Sequence, residues 1–149
     1  MLVADAAIFD FGILTSTMHN AWVRYTCGRL ESRYRYSASI VYNNFPWPES
    51  PSAAQTAAIE AAGQAVLDAR AAFPGATLAD LYDPLTMPSA LLKAHQKLDA
   101  AVDAAYAAKR AFKTDAERVA FLFERYQQLT SLLPAASATK RRARRSISA

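Results

Sequence analysis

Apolar residues recur along most of this chain at intervals of three and four, the spacing that lines them up on one side of a helix. Phe11, Leu14, Met18, Trp22 and Tyr25 keep that rhythm and predict a helix ending near Gly28, with the glycine as its left-handed cap. The pattern then changes. Tyr34, Tyr36, Ile40, Val41 and Tyr42 form β-prone runs, closed by Phe45-Pro46-Trp47-Pro48, where alternate prolines rule out a central strand or a helix.

From about Ser50 to Leu133 the helical rhythm returns with marked starts. Ser52 and Gln55 form a capping box, in which each side chain satisfies a backbone N–H left free by the first turn. Ile59, Ala62, Val66, Leu67 and Phe73 make the stripe behind it, stopped by Pro74-Gly75. Thr77 with Asp80 predicts a short helix broken at Pro84, and Pro88 opens a third with an inner face of Leu91, His95, Leu98, Val102 and Tyr106. A further capping box, Thr114 with Glu117, starts a fourth presenting Val119, Leu122, Phe123, Tyr126, Leu129 and Leu133. The predicted class is mainly α. It is a helical bundle or hairpin array preceded by a helix and a short β-prone segment, with a disordered basic tail. The segments run 1–48, 49–133 and 134–149.

Composition adds little against that class. Four glycines among abundant alanines favour helix over sheet. One cysteine, Cys27, excludes an intrachain disulfide and a multi-cysteine zinc site, and fits a reducing cytoplasm. Met1 to Leu14 is apolar but carries Asp5, Asp10 and no basic residue, the reverse of a secretory signal. No run is long enough to cross a bilayer, so a cytoplasmic protein with no membrane partner is expected. The net charge of +4 has a local origin: Lys140, Arg141, Arg142, Arg144 and Arg145 lie in the last ten residues, leaving 12 basic against 13 acidic elsewhere. That tail would attract any polyanion but reads no sequence.

Catalytic chemistry is absent from the pattern. No glycine-rich loop follows a strand to cradle a nucleotide or methyl donor. His95 reads as a hydrogen-bonded core or rim histidine, and Asp99 at i+4 supplies too few ligands for a metal. Asp99 and Asp103 read as a solvated face, Cys27 as a half-buried structural thiol, and Ser16 as a helix-terminal or helix-packing hydroxyl. What stands out is binding chemistry. Arg24, Arg29, Arg33 and Arg35 fall within twelve residues, interleaved with Tyr25, Tyr34 and Tyr36 and offset locally by Glu31. Guanidinium forks grip phosphate oxygens, and tyrosines add hydroxyl contacts or stack on bases. The same arginines could equally pair with carboxylates elsewhere in the fold.

The words of the first segment carry a resemblance. FGILTSTMHNAWVRYTCGRLESRYRYSASIVYNNFPWP, residues 11–48, resembles the end of the target-recognition region of MmeI-like (Type IIL restriction-modification) DNA methyltransferases. LADLYDPLTMPSALLKAHQKLDAAVDAAY and DAERVAFLFERYQQLT resemble the helical C-terminal domain of that family. The resemblance covers about Ile8 to Thr130, and RYRYSASIVYNNFPWP and LYDPLTMP are its specific stretches.

It implies a non-catalytic C-terminal segment of an S-adenosylmethionine-dependent, adenine-specific DNA methyltransferase. The segment would bind no cofactor itself and would have DNA and a methyltransferase catalytic domain or subunit as partners. The family's donor-binding motif and Asn-Pro-Pro-Tyr-type motif have no counterpart here; Asn43-Asn44-Phe45-Pro46-Trp47 shares letters with the latter but not its pattern. The expectation is therefore a truncated, split or interrupted enzyme. On this reading Arg24, Arg29, Arg33, Arg35, Tyr34 and Tyr36 contact DNA. The alternative is a helical protein-interaction module that docks on a separate methyltransferase subunit through an apolar edge including Trp22 and Trp47.

Overall fold

A computed structural model describes residues 5–31, 33–106 and 112–131. The expected basic tail, with Lys140 to Arg145, and Leu133 lie outside the described residues. The chain runs α1 (Ile8–Thr15), α2 (Thr17–Thr26), β1 (Gly28–Leu30), β2 (Arg33–Arg35), a helical turn (Ala38–Tyr42), α3 (Ala53–Ala71), α4 (Leu78–Leu81), α5 (Ser89–Tyr106) and α6 (Asp115–Thr130). Helix dominates, as the alanine content and the three-to-four rhythm predict, and the small sheet is one antiparallel pair. No described helix is long and apolar enough to cross a membrane.

The single helix expected up to Gly28 is two. Ser16 is extended (φ −69°, ψ 159°) and separates α1 from α2. Its Oγ donates to the Ile13 carbonyl at 2.7 Å and accepts from the His19 N–H at 3.4 Å. The new N-terminus gains a partner from far along the chain. Asp99 of α5 accepts from the Thr17 backbone N–H at 2.7 Å and from the Thr17 hydroxyl at 2.6 Å. Asp99 is thus a cap on another helix, and Asp103 accepts two bonds from the buried Arg118 guanidinium, at 3.2 and 2.6 Å, so the pair is no solvated face. Gly28 caps nothing. Helix α2 ends at an extended Cys27, and Gly28 begins β1.

The β-prone run also divides. Only residues 33–35 are strand, and 38–42 coil into one wide turn in which Asn43 N–H reaches the Ala38 carbonyl at 2.9 Å, five residues back. A wide turn leaves carbonyls to satisfy. Asn44 Nδ2 donates to those of Ser39 and Ile40, and Trp22 Nε1 donates to that of Val41 at 3.0 Å.

The capping boxes at Ser52/Gln55 and Thr77/Asp80 form as read. At α6 only half forms: Thr114 accepts from the Glu117 N–H, but the Glu117 carboxylate turns back to the Lys113 N–H at 2.7 Å. Helices α3 and α5 pack as a hairpin, with Ile59 and Val66 against Leu91, Leu98 and Val102 in one core. Helix α1 lies on α3, and two glycines set their spacing. A Cβ on Gly12 would sit 2.7 Å from Ile59 Cγ2, and one on Gly63 would sit 3.2 Å from Ile8 Cγ2. Helix α2 packs on α6, where the Trp22 ring meets Phe45, Phe123 and Tyr126.

Three stripes were misread in part. Tyr25, Phe73, Phe123 and Leu129 are exposed: α2 buries Met18, His19, Ala21 and Trp22, α3 stops at Ala71, and the buried face of α6 turns to Arg118, Val119 and Leu122. Trp22 is 2% exposed and Trp47 is partly buried against the core, so neither supplies the exposed apolar edge expected for subunit docking.

Candidate nucleic-acid interface

The ribbon β1–β2 stands out from the helical body because no other described element covers it. Its register pairs Gly28 with Arg35, Arg29 with Tyr34 and Leu30 with Arg33, and all six residues are exposed. Side chains alternate across a strand. Leu30, Arg33 and Arg35 therefore share one face, and Arg29 and Tyr34 share the other. After β1, Glu31 takes a positive φ of 57°, a conformation that tight hairpin connections favour. An isolated two-stranded ribbon is marginal in water. This one is anchored at its ends, by buried Cys27 before it and by Tyr36 after it.

The structure divides the sequence-read cluster. Arg24, in the last turn of α2, forms an ion pair with Asp115 in the first turn of α6; both side chains are substantially exposed. For Arg24 the intramolecular reading of the sequence holds. Arg29, Arg33 and Arg35 make no ion pair among the described residues. Arg29 instead lies over the Tyr34 ring, 4.7 Å from its centroid, and donates to the Tyr34 hydroxyl at 3.1 Å. Three guanidinium groups and one carboxylate, Glu31, thus project from a slim ribbon.

Tyr36 is tied to a residue that the sequence left unassigned. Its hydroxyl lies 3.1 Å from His19 Nε2. His19 is 3% exposed, edge-on to Phe45 at 4.6 Å, and burial lowers its pKa to about 4, so the ring is neutral at pH 7. Burial, reinforced by Tyr42 and Cys27, pushes the Tyr36 phenol up and keeps its proton in place. One signal for His19 was available: it sits three residues before Trp22 and so shares its buried helical face.

The other histidine belongs to a closed arrangement. Arg70 donates from Nε and Nη2 to the Tyr82 oxygen at 2.9 and 2.6 Å, and Tyr82 lies 2.6 Å from His95 Nε2. Burial, then the nearby Arg70 cation, lowers the His95 pKa. Among the described residues no group of three or more His, Cys, Asp or Glu gathers to hold a metal.

Comparison with known proteins places these elements. The family profile described as "MmeI, target recognition domain" matches residues 1–49, and "MmeI, C-terminal domain" matches residues 51–134. DNA methyltransferase A of Bacillus subtilis (strain 168) is 46% identical over 129 residues, 87% of this chain and 14% of that protein. The Type IIL restriction-modification enzyme MmeI, solved in complex with DNA, superposes with a TM-score of 0.81 at 58% identity, over 86% of this chain and 17% of that one. The chain spans only a small part of the length of these relatives.

Proposed function

The chain belongs to the MmeI family, and from that premise we propose that it is a DNA-contacting and scaffolding segment of an adenine-specific DNA methyltransferase in a restriction-modification system. The observation that carries this reading is the exposed ribbon. It presents Arg29, Arg33 and Arg35 without an ion-pair partner among the described residues, inside the stretch that matches a target recognition domain. A two-stranded ribbon is a shape that the major groove of duplex DNA admits, and arginines along it reach phosphates on either side. Tyr34 and Tyr36 add hydroxyl contacts, and Arg24, half neutralised by Asp115, contributes at the margin. The helical body holds the ribbon at a fixed angle to the methyltransferase catalytic domain or subunit. The setting is the cytoplasm.

Methyl transfer falls to other parts of such an enzyme. S-adenosylmethionine would be its donor, yet the glycines here do not suit a donor cradle. Gly12 and Gly63 lie in helix contacts, Gly28 lies in the ribbon, and Gly75 lies in a turn after α3. None forms a loop from strand to helix, so no step of the chemistry is assigned to this chain.

Binding to duplex DNA at low and moderate salt tests the reading. The triple variant Arg29→Ala, Arg33→Ala, Arg35→Ala should weaken binding at least about tenfold and flatten its salt dependence by roughly two to three in log–log slope. Its melting temperature should stay near that of the parent. Absence of binding at low salt, or indifference to the triple substitution, would remove DNA contact from the assignment.

A further inference from the structure

We infer that His19 is a positioning residue for DNA contact: its Nε2–H holds the Tyr36 oxygen as an acceptor and leaves the phenol proton free for a phosphate oxygen. The inference rests on the DNA-contacting reading of the ribbon and extends it to a side chain that never meets the nucleic acid.

The argument begins with a proton count. A neutral imidazole carries one N–H and one lone pair. His19 Nδ1 is buried and meets no hydrogen-bond partner among the described residues. If the proton sat there, a buried N–H would be left unmade, a rarer and costlier condition than an unshared ring lone pair. The proton therefore belongs on Nε2, where the Tyr36 oxygen at 3.1 Å accepts it. Edge contact with Phe45 and burial of the helix face beside Trp22 fix the ring, so the direction of the bond is fixed too.

Tyr36 is then held through its acceptor side only. Its residue is 38% exposed at the foot of the ribbon, one position after Arg35. An open cleft of about 460 Å³ borders it, lined by Leu14, His19, Asn20, Val23 and Tyr36. The hydroxyl can donate into that opening without giving up the bond from His19. Tyr34 repeats the arrangement, since Arg29 can only donate to its oxygen. Two phenols flanking the ribbon arginines thus offer their protons outward, the polarity that a phosphate oxygen requires.

Two measurements test this. In the ¹⁵N spectrum of the histidine-labelled chain near neutral pH, His19 should show a protonated Nε2 and an unprotonated Nδ1; the opposite tautomer overturns the inference. In duplex binding, Tyr36→Phe and His19→Phe should each weaken affinity about three- to tenfold, the range of one neutral hydrogen bond. The double variant should be no weaker than the poorer single one. His19→Gln, which restores an N–H donor, should regain most of the loss. Unchanged affinity in folded His19→Phe, or losses that multiply in the double variant, overturns the role of His19. The arginine triple variant separates the two failures. If it abolishes binding while His19→Phe does not, only the positioning role falls; if it has no effect, the DNA reading falls with it. Should His19→Phe fail to fold, the tautomer and His19→Gln decide.

Discussion

Two tyrosine–histidine pairs lie in this small fold, and they use the same atoms to opposite ends. Tyr82 receives two bonds from Arg70, which occupy the lone pairs of its oxygen, so its proton goes to His95 Nε2 at 2.6 Å. Every donor and acceptor of that phenol is consumed inside the protein, and the group fastens the α3–α5 hairpin to the turn between them. Among the described residues Tyr36 has no cation behind it. It takes one bond from His19 and keeps a proton in hand beside an open cleft. What separates a staple from a contact is where the phenol proton goes: Tyr82 has His95 Nε2 to take it inside the fold, whereas Tyr36 meets a histidine that donates and keeps its own proton for the cleft.

Acid should strain this comparison most. His19 has a folded pKa of about 4 against an ordinary 6.5, so between those values the unfolded chain binds the extra proton. The stability that this burial contributes is complete above pH 6.5 and is lost as pH falls towards about 4, by about 3 kcal/mol in all. His95 is shifted in the same direction and adds to the loss. Urea melts across that window should show the slope, and His19→Phe should flatten it; an unaltered slope would mean His19 is not neutral in the fold. Next comes Tyr82→Phe, which strips a cation and a histidine of their partner and should cost about 1–3 kcal/mol while leaving DNA affinity alone. Tyr36→Phe should cost only about 1 kcal/mol, with water from the cleft replacing the hydroxyl, yet weaken DNA binding. If the two substitutions exchanged these effects, the division between staple and contact would be broken. Smallest is Arg24→Ala. Its exposed pair with Asp115 should be worth under about 1 kcal/mol in denaturation, and its effect on DNA affinity should be less than that of any ribbon arginine.

Much of this was open to reading from residues because it is local. The capping boxes at Ser52 and Thr77 need only four neighbouring residues, and the stripe of α5 needs only its own turns. The arginine and tyrosine cluster was likewise visible as a run of letters. What escaped depends on distant partners. The apolar stripe runs on past Ser16, and the hydroxyl read there as helix-terminal became a break between two helices only with Asp99, 82 residues beyond Thr17, capping the second start. Residues 38–42 have strand propensity, yet Trp22 takes the Val41 carbonyl and the run coils. Arg24 was grouped with the ribbon by proximity in sequence, whereas Asp115, 91 residues away, claims it. His19 drew no assignment because its role is visible only once Tyr36 is folded back onto α2.

The glycine contact between α1 and α3 bears on how such proteins can trade parts. Gly12 and Gly63 lie on opposite sides of the Pro46–Pro48 stretch, where a joint between two segments would naturally be drawn. The helices they belong to meet at backbone distance, with no room for a methyl group at Gly12 unless Ile59 moves. A chimaera that joined the first 48 residues of one relative to the remainder of another would inherit two surfaces never fitted to each other. Recombination at that joint should succeed only between parents that carry the same small residues at both places. The recognition end and the helical end would then be inherited as a matched pair.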